Sequence, residues 1–124
     1  MSFENLLLII SAIGLIPIAL SYGAKPKSTM KILYGAEIND NIAHILRAVM
    51  GLYFAVILAW LYGVVEPSFT QCAMVILVVF MFGLAGGRVL SLLTEGKVHI
   101  LLHTYMVLEI SIGLAGSYFL MNWS

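Results

Sequence analysis

Charge is what this sequence has least of. Only 10% of its 124 residues are charged, against 62% that are hydrophobic, where an ordinary soluble domain carries about 25% charged residues. That leaves too little polar surface to cover a water-soluble globule, and the mean hydropathy of +1.06 agrees. The charges cancel, six basic against six acidic, and form no run or stripe, which excludes nucleic acid as a partner recognised through its phosphates. Cysteine is nearly absent as well. With Cys72 alone, the chain has no intrachain disulfide, no Cys-x-x-Cys redox pair and no thiolate metal cluster; Cys72 reads as a small apolar residue. There is no serine–histidine–acid order, glycine-rich phosphate loop or H-E-x-x-H, so no catalytic motif marks an enzyme. Internal repeats and low-complexity segments are missing too.

Long apolar runs are what remains. They cover residues 6–22, 42–65, 69–93 and 98–122. A bilayer core is crossed by about 20 helical residues, so residues 1–124 read as a single transmembrane domain, an all-α four-helix antiparallel bundle. The first run is expected to be retained, because Glu4 precedes it and Lys25, Lys27 and Lys31 follow it, the reverse of a secretory signal. Pro17 predicts a kink whose freed carbonyl needs a neighbouring donor. Residues 23–41 form the longest polar stretch and read as a loop containing a short interfacial amphipathic helix over 29–34. Asn39, Asp40 and Asn41 suit the cap of the next span, and Pro67 suits the first turn of the third. The short connections at 66–68 and 94–97 make the second, third and fourth spans sequential antiparallel neighbours.

All six cationic residues (Lys25, Lys27, Lys31, Arg47, Arg88 and Lys97) lie toward the side holding the first and third connections. The positive-inside rule makes that side cytoplasmic and puts both termini outside. Trp60, Tyr62, Tyr118 and Trp123 gather at the opposite end, where an aromatic belt is expected.

Three charges fall inside the apolar runs. Counting from the helix ends places Arg47 and Arg88 about 9 Å deep and Glu109 about 16 Å deep, an offset of about 7 Å that a long arginine spans. Their helix faces carry small residues: Gly51 beside Arg47, the Gly83/Gly87 G-x-x-x-G pair beside Arg88, and Gly113 and Gly116 in line with Glu109. Small residues let helices approach closely in lipid, so these glycines are the expected packing positions and the three charges an inward-facing triad. Two readings follow. In one, Glu109 neutralises the arginines as a structural salt bridge, or the arginines snorkel to headgroups. In the other, two arginines against one glutamate leave a net positive pocket, with Tyr53 and Tyr105 as hydrogen-bond donors, suited to an anionic or carbonyl-bearing ligand such as a quinone or a lipid.

Glu95, His99 and His103 recur at four-residue spacing, as do Asp40 and His44. Imidazole with carboxylate suits zinc, iron or manganese. No metal site or haem is expected, and His44, His99 and His103 are the residues that would carry one.

The segments L-R-A-V-M-G-L-Y at 46–53 and G-G-R-V-L-S-L-L-T-E-G-K at 86–97 together resemble an uncharacterised bacterial family of small four-span inner-membrane proteins, catalogued as a domain of unknown function. That family pairs R-A-x-x-G on its second helix with G-R-x-x-S/G-x-x-x-D/E-G before its third loop, and the likeness covers residues 41–120. More distantly, the chain is similar to the DoxX-like group, some of whose members accompany quinone-linked or thiol redox systems; the cysteine pair of a thiol role is missing here. The resemblance implies the bacterial inner membrane and weight on Arg47, Gly51, Gly87, Arg88 and Gly96, without supplying an activity. Two function classes are carried forward: a non-enzymatic accessory or assembly subunit, joined in the membrane to protein partners or to copies of itself, and a membrane-embedded binding protein for a quinone or lipid, built on Arg47, Arg88 and Glu109, to which the DoxX-like resemblance would add a redox link.

Overall fold

Ser2 starts the first helix by accepting a hydrogen bond from the Asn5 backbone N–H at 3.1 Å, which satisfies one of the orphan donors of the first turn. The computed structural model describes residues 2–123. Helix α1 (Phe3–Gly23) runs unbroken through Pro17 and ends just before the first lysines. Helix α2 (Pro26–Tyr34) begins three residues before the amphipathic stretch expected at 29–34, because Pro26 suits a first helical position. It buries Pro26 and Met30 and leaves Lys27, Lys31 and Ile32 exposed. Gly35 stops it at φ 66, with the Gly35 N–H donating to the Lys31 carbonyl and the Ala36 N–H to the Met30 carbonyl. This is a left-handed C-cap, which needs a residue free of the steric penalty at positive φ.

Helix α3 (Asp40–Val65) is capped by Asn39, whose Oδ1 accepts from the Ile42 N–H at 2.9 Å. A 3₁₀ turn over Pro67–Phe69 leads directly into α4 (Thr70–Thr94). The buried Thr70 hydroxyl donates to the Gly63 carbonyl at 2.6 Å and ties this corner shut. Helix α5 (Ile100–Met121) starts later than the apolar run at 98 suggests, because His99 serves as its cap and accepts from the Leu101 N–H at 3.0 Å.

Four of these helices are long and apolar enough to cross a bilayer, with the 3₁₀ turn continuing into α4. Together they make an all-α membrane helical bundle. Each buries one stripe at spacings of three and four residues: Leu8, Ala12, Leu15 and Ala19 on α1; Tyr53, Ile57 and Trp60 on α3; Ala73, Met74, Leu77 and Met81 on α4. On α5 the stripe is Glu109, Gly113 and Gly116. Helix α1 packs chiefly on α3 and α5 on α4, the two pairs join along a smaller α3–α4 contact, and α1 meets α5 only along a thin seam. Ser2, Pro67, Thr70 and Trp123 line one shared depression, so both ends of the described chain and the α3–α4 corner share one end of the bundle. The other end holds α2 and the connection through Gly96.

The glycines sort differently from the expectation. Gly113 and Gly116 do face a neighbour: a Cβ on Gly113 would sit 2.8 Å from the Phe82 ring, and one on Gly116 2.7 Å from Val78. Gly51, Gly83 and Gly87 meet nothing within 4 Å. Close approach falls instead at Gly23 against Met50 and at Gly63 against Ala73. The reason is geometric: α3 and α4 are drawn together at the Thr70 corner and leave room beside Gly83 and Gly87 further along. Trp60 also departs from the belt assigned to it. It is fully buried, edge-on to Phe80 at 5.6 Å, while Tyr62 and Tyr118 are exposed.

Candidate functional site

Arg88 lies six residues before the end of α4, and Glu109 nine residues after the start of α5. With α5 starting at Ile100, the axial offset falls to about 5 Å. The guanidinium meets the carboxylate in a two-pronged pair, Nε to Oε1 at 2.8 Å and Nη2 to Oε2 at 3.0 Å. Both side chains are largely covered, 19% and 8% exposed. The Tyr105 ring lies under the guanidinium, 5.6 Å from Cζ to the ring centroid, a cation–π contact that adds to the pair where water is excluded. A fork-on-fork arrangement of this kind fixes both side chains in orientation as well as in charge.

A cavity of about 400 Å³ opens beside the pair toward the lysine end. Tyr22, Tyr53, Arg88, Ser91 and His103 supply its polar groups; Leu46, Val49, Leu102 and Met106 are among its apolar walls. Gly83 and Gly87 also line it, so the two glycines read as packing positions are what keeps this space empty. Tyr53 is held edge-on by Tyr22 at 5.9 Å and by Phe80 at 5.5 Å. On the far side of the ion pair, along the α1–α5 seam, a smaller cavity of about 160 Å³ is bounded by Ser11, Tyr105 and Glu109. The buried Ser11 hydroxyl there has no hydrogen-bond partner among the described residues.

Of the five residues singled out from the sequence, Arg88, Glu109, Tyr53 and Tyr105 come together around this pair and its cavity. Arg47 does not. It is exposed on another face of α3, in a groove with Lys25, Lys27 and His44, so the charged unit is a neutral pair rather than a triad with a surplus cation. Counting along the helices puts Arg47 and Arg88 at similar heights, but Arg47 points from another side of α3, into a different groove. The histidines are dispersed too. His44 faces the Arg47 groove, His103 the central cavity, and His99 caps α5 with its ring edge-on to Tyr34 at 5.5 Å. Because His99 is a cap outside the helix, Glu95 falls off the row it was expected to share with His99 and His103. Among the described residues, no three metal-ligating side chains converge. Burial lifts the Tyr34 phenol above its ordinary pKa.

Tyr22 is the cavity residue that sequence reasoning passed over. Its signal was available, since it stands at the lysine end of the first span, level with Arg88. No curated protein and no solved structure matches this chain. A family profile described as a domain of unknown function, DUF4345, matches residues 3–120, nearly the whole of the bundle just described, and the chain belongs to that family.

Proposed function

We propose that this protein binds a small lipophilic molecule in the cavity beside the Arg88–Glu109 pair. The observation that carries the reading is the cavity itself: about 400 Å³, in the size range of small-molecule sites. Its walls are mostly apolar, with a few hydrogen-bonding groups contributed by four helices. The pairing of Arg88 narrows the ligand chemistry. Glu109 takes two guanidinium N–H groups of the five that arginine carries and cancels its charge. A free anion gains little there, whereas a neutral molecule with carbonyl oxygens can accept from the remaining donors, from Tyr22 and from Tyr53. A quinone has that chemistry, as does the ester region of a neutral lipid.

The test uses the full chain in nanodiscs, with a short-tailed benzoquinone as probe. Saturable binding is expected, weakened about tenfold or more in Gly87→Leu, whose side chain would fill space now empty, because loss of a fitted pocket costs on the order of 1.4 kcal/mol or more. Unsaturable partitioning, or equal binding by Gly87→Leu, would overturn the reading.

The accessory-subunit reading has its own support in α5, which buries only Glu109, Gly113 and Gly116. Its outer face, with Val107, Leu108, Leu114 and Tyr118 exposed, is open to lipid or to a partner helix. Protein subunits that stay with the chain through mild detergent extraction, and leave when the outer face of α5 is altered at Leu108 or Leu114, would favour it.

A further inference from the structure

We infer that the groove where α1 turns into α2 is a second binding site, for the phosphate group of an anionic lipid headgroup. Three cations from two chain segments converge on it: Lys25 from the turn with Lys27 from the start of α2, and Arg47 from α3, with His44 and Ser28 completing the wall. The groove encloses about 410 Å³, room for a headgroup rather than for a lone ion.

Charge accounting favours an anion. Lys27 pairs with Asp40, the one acid on the wall, and Lys31 pairs with Glu37 at 3.8 Å. Among the described residues, Lys25 and Arg47 have no carboxylate within salt-bridge distance. Arg47 sits seven residues into a membrane-spanning helix, about 10 Å from its start. An arginine at that depth is tolerated when its guanidinium reaches a headgroup phosphate along its aliphatic stem. Here the α1–α2 turn is folded back beside it and forms the opposite wall. The start of α2 adds donors. Pro26 has no N–H, and no side chain caps the helix, so the Lys27 and Ser28 amides, which precede the first intrahelical bond, from Thr29 to Lys25, are unused on the same wall. Guanidinium, ammonium and backbone amides together are the donor set that phosphate oxygens take.

The site is separate from the central cavity and does not depend on what fills it. The experiment is native mass spectrometry of the delipidated full-length protein, titrated with short-chain phosphatidylglycerol, a short-chain diacylglycerol and inorganic phosphate. Phosphatidylglycerol is expected to bind at this groove, and any diacylglycerol held in the central cavity to be indifferent to Lys25 and Arg47. Each of Arg47→Gln and Lys25→Gln should weaken the phosphatidylglycerol complex by about fivefold, as expected for one cation near a membrane surface, with or without Gly87→Leu filling the central cavity. Lys25 lies in the turn outside the helices, so its variant tests the site even if Arg47→Gln fails to fold. Inorganic phosphate that displaces the lipid at equal concentration would support the phosphate site and assign it to a free anion. Diacylglycerol binding weakened by Lys25→Gln as much as phosphatidylglycerol binding, or phosphatidylglycerol binding unchanged in Lys25→Gln, would overturn the inference.

Discussion

Replacing Arg88 with leucine would leave the Glu109 carboxylate buried without its partner, and replacing Glu109 with leucine would strand the guanidinium. Breaking a buried pair from one side costs about 3–5 kcal/mol, whereas removing both partners together is often close to neutral. Arg88→Leu and Glu109→Leu are therefore each expected to lower the unfolding midpoint in detergent sharply. The double variant should recover most of that loss, since leucine on both sides suits the lipid-like surroundings. A double variant as unstable as the singles would mean that each residue is held by something other than its partner. The partnership could be read from the sequence because ionisable residues are rare in apolar runs and their depth follows from counting. The exclusion of Arg47 could not, because counting gives height along a helix and says little about direction around it. On α3 the row Asp40, His44 and Arg47 shares one polar face, a direction that counting by depth leaves out.

The same weakness governs the helices as packed elements. Glycine spacing suggested three contact faces, and two glycines of the α5 face alone meet a neighbour. The difference gives a paired prediction. Gly116→Ala would push a methyl to within 2.7 Å of Val78 and is expected to cost about 1–3 kcal/mol through overpacking. Gly83→Ala meets nothing within 4 Å, and should be neutral or stabilising by up to about 1 kcal/mol from helix propensity alone. Unfolding in a graded mixture of mild and denaturing detergent would rank the two; the opposite order would show that α4 and α5 pack on different faces. Helix extents were far more legible than helix contacts, because bilayer thickness sets a length that an apolar run either reaches or does not. The late start of α5 was hidden for a local reason. His99 is a plausible helical residue by pattern, and its role as a cap shows only in the bond from the Leu101 N–H.

For the molecule as a whole, the bundle has two chemically unlike ends. Ser2, Pro67 and Trp123 share one, and the other carries α2 with Lys25, Lys27 and Lys31 and, across the Gly96 turn, Lys97. Four crossings bring Ser2 and Trp123 to one side, and the positive-inside rule predicts from the lysine bias that the other side faces the cytoplasm. Cys72 is exposed, so it must be changed to serine before single cysteines are introduced. In that background, Ser2→Cys and Ser68→Cys are expected to react in intact cells with a thiol reagent that cannot cross membranes. Lys97→Cys should react only after the membrane is opened. Labelling of Lys97→Cys in intact cells, with the other two protected, would invert the orientation while leaving the fold untouched. It would also move the Lys25–Arg47 groove to the opposite leaflet, so the lipid that could reach that groove depends on this result.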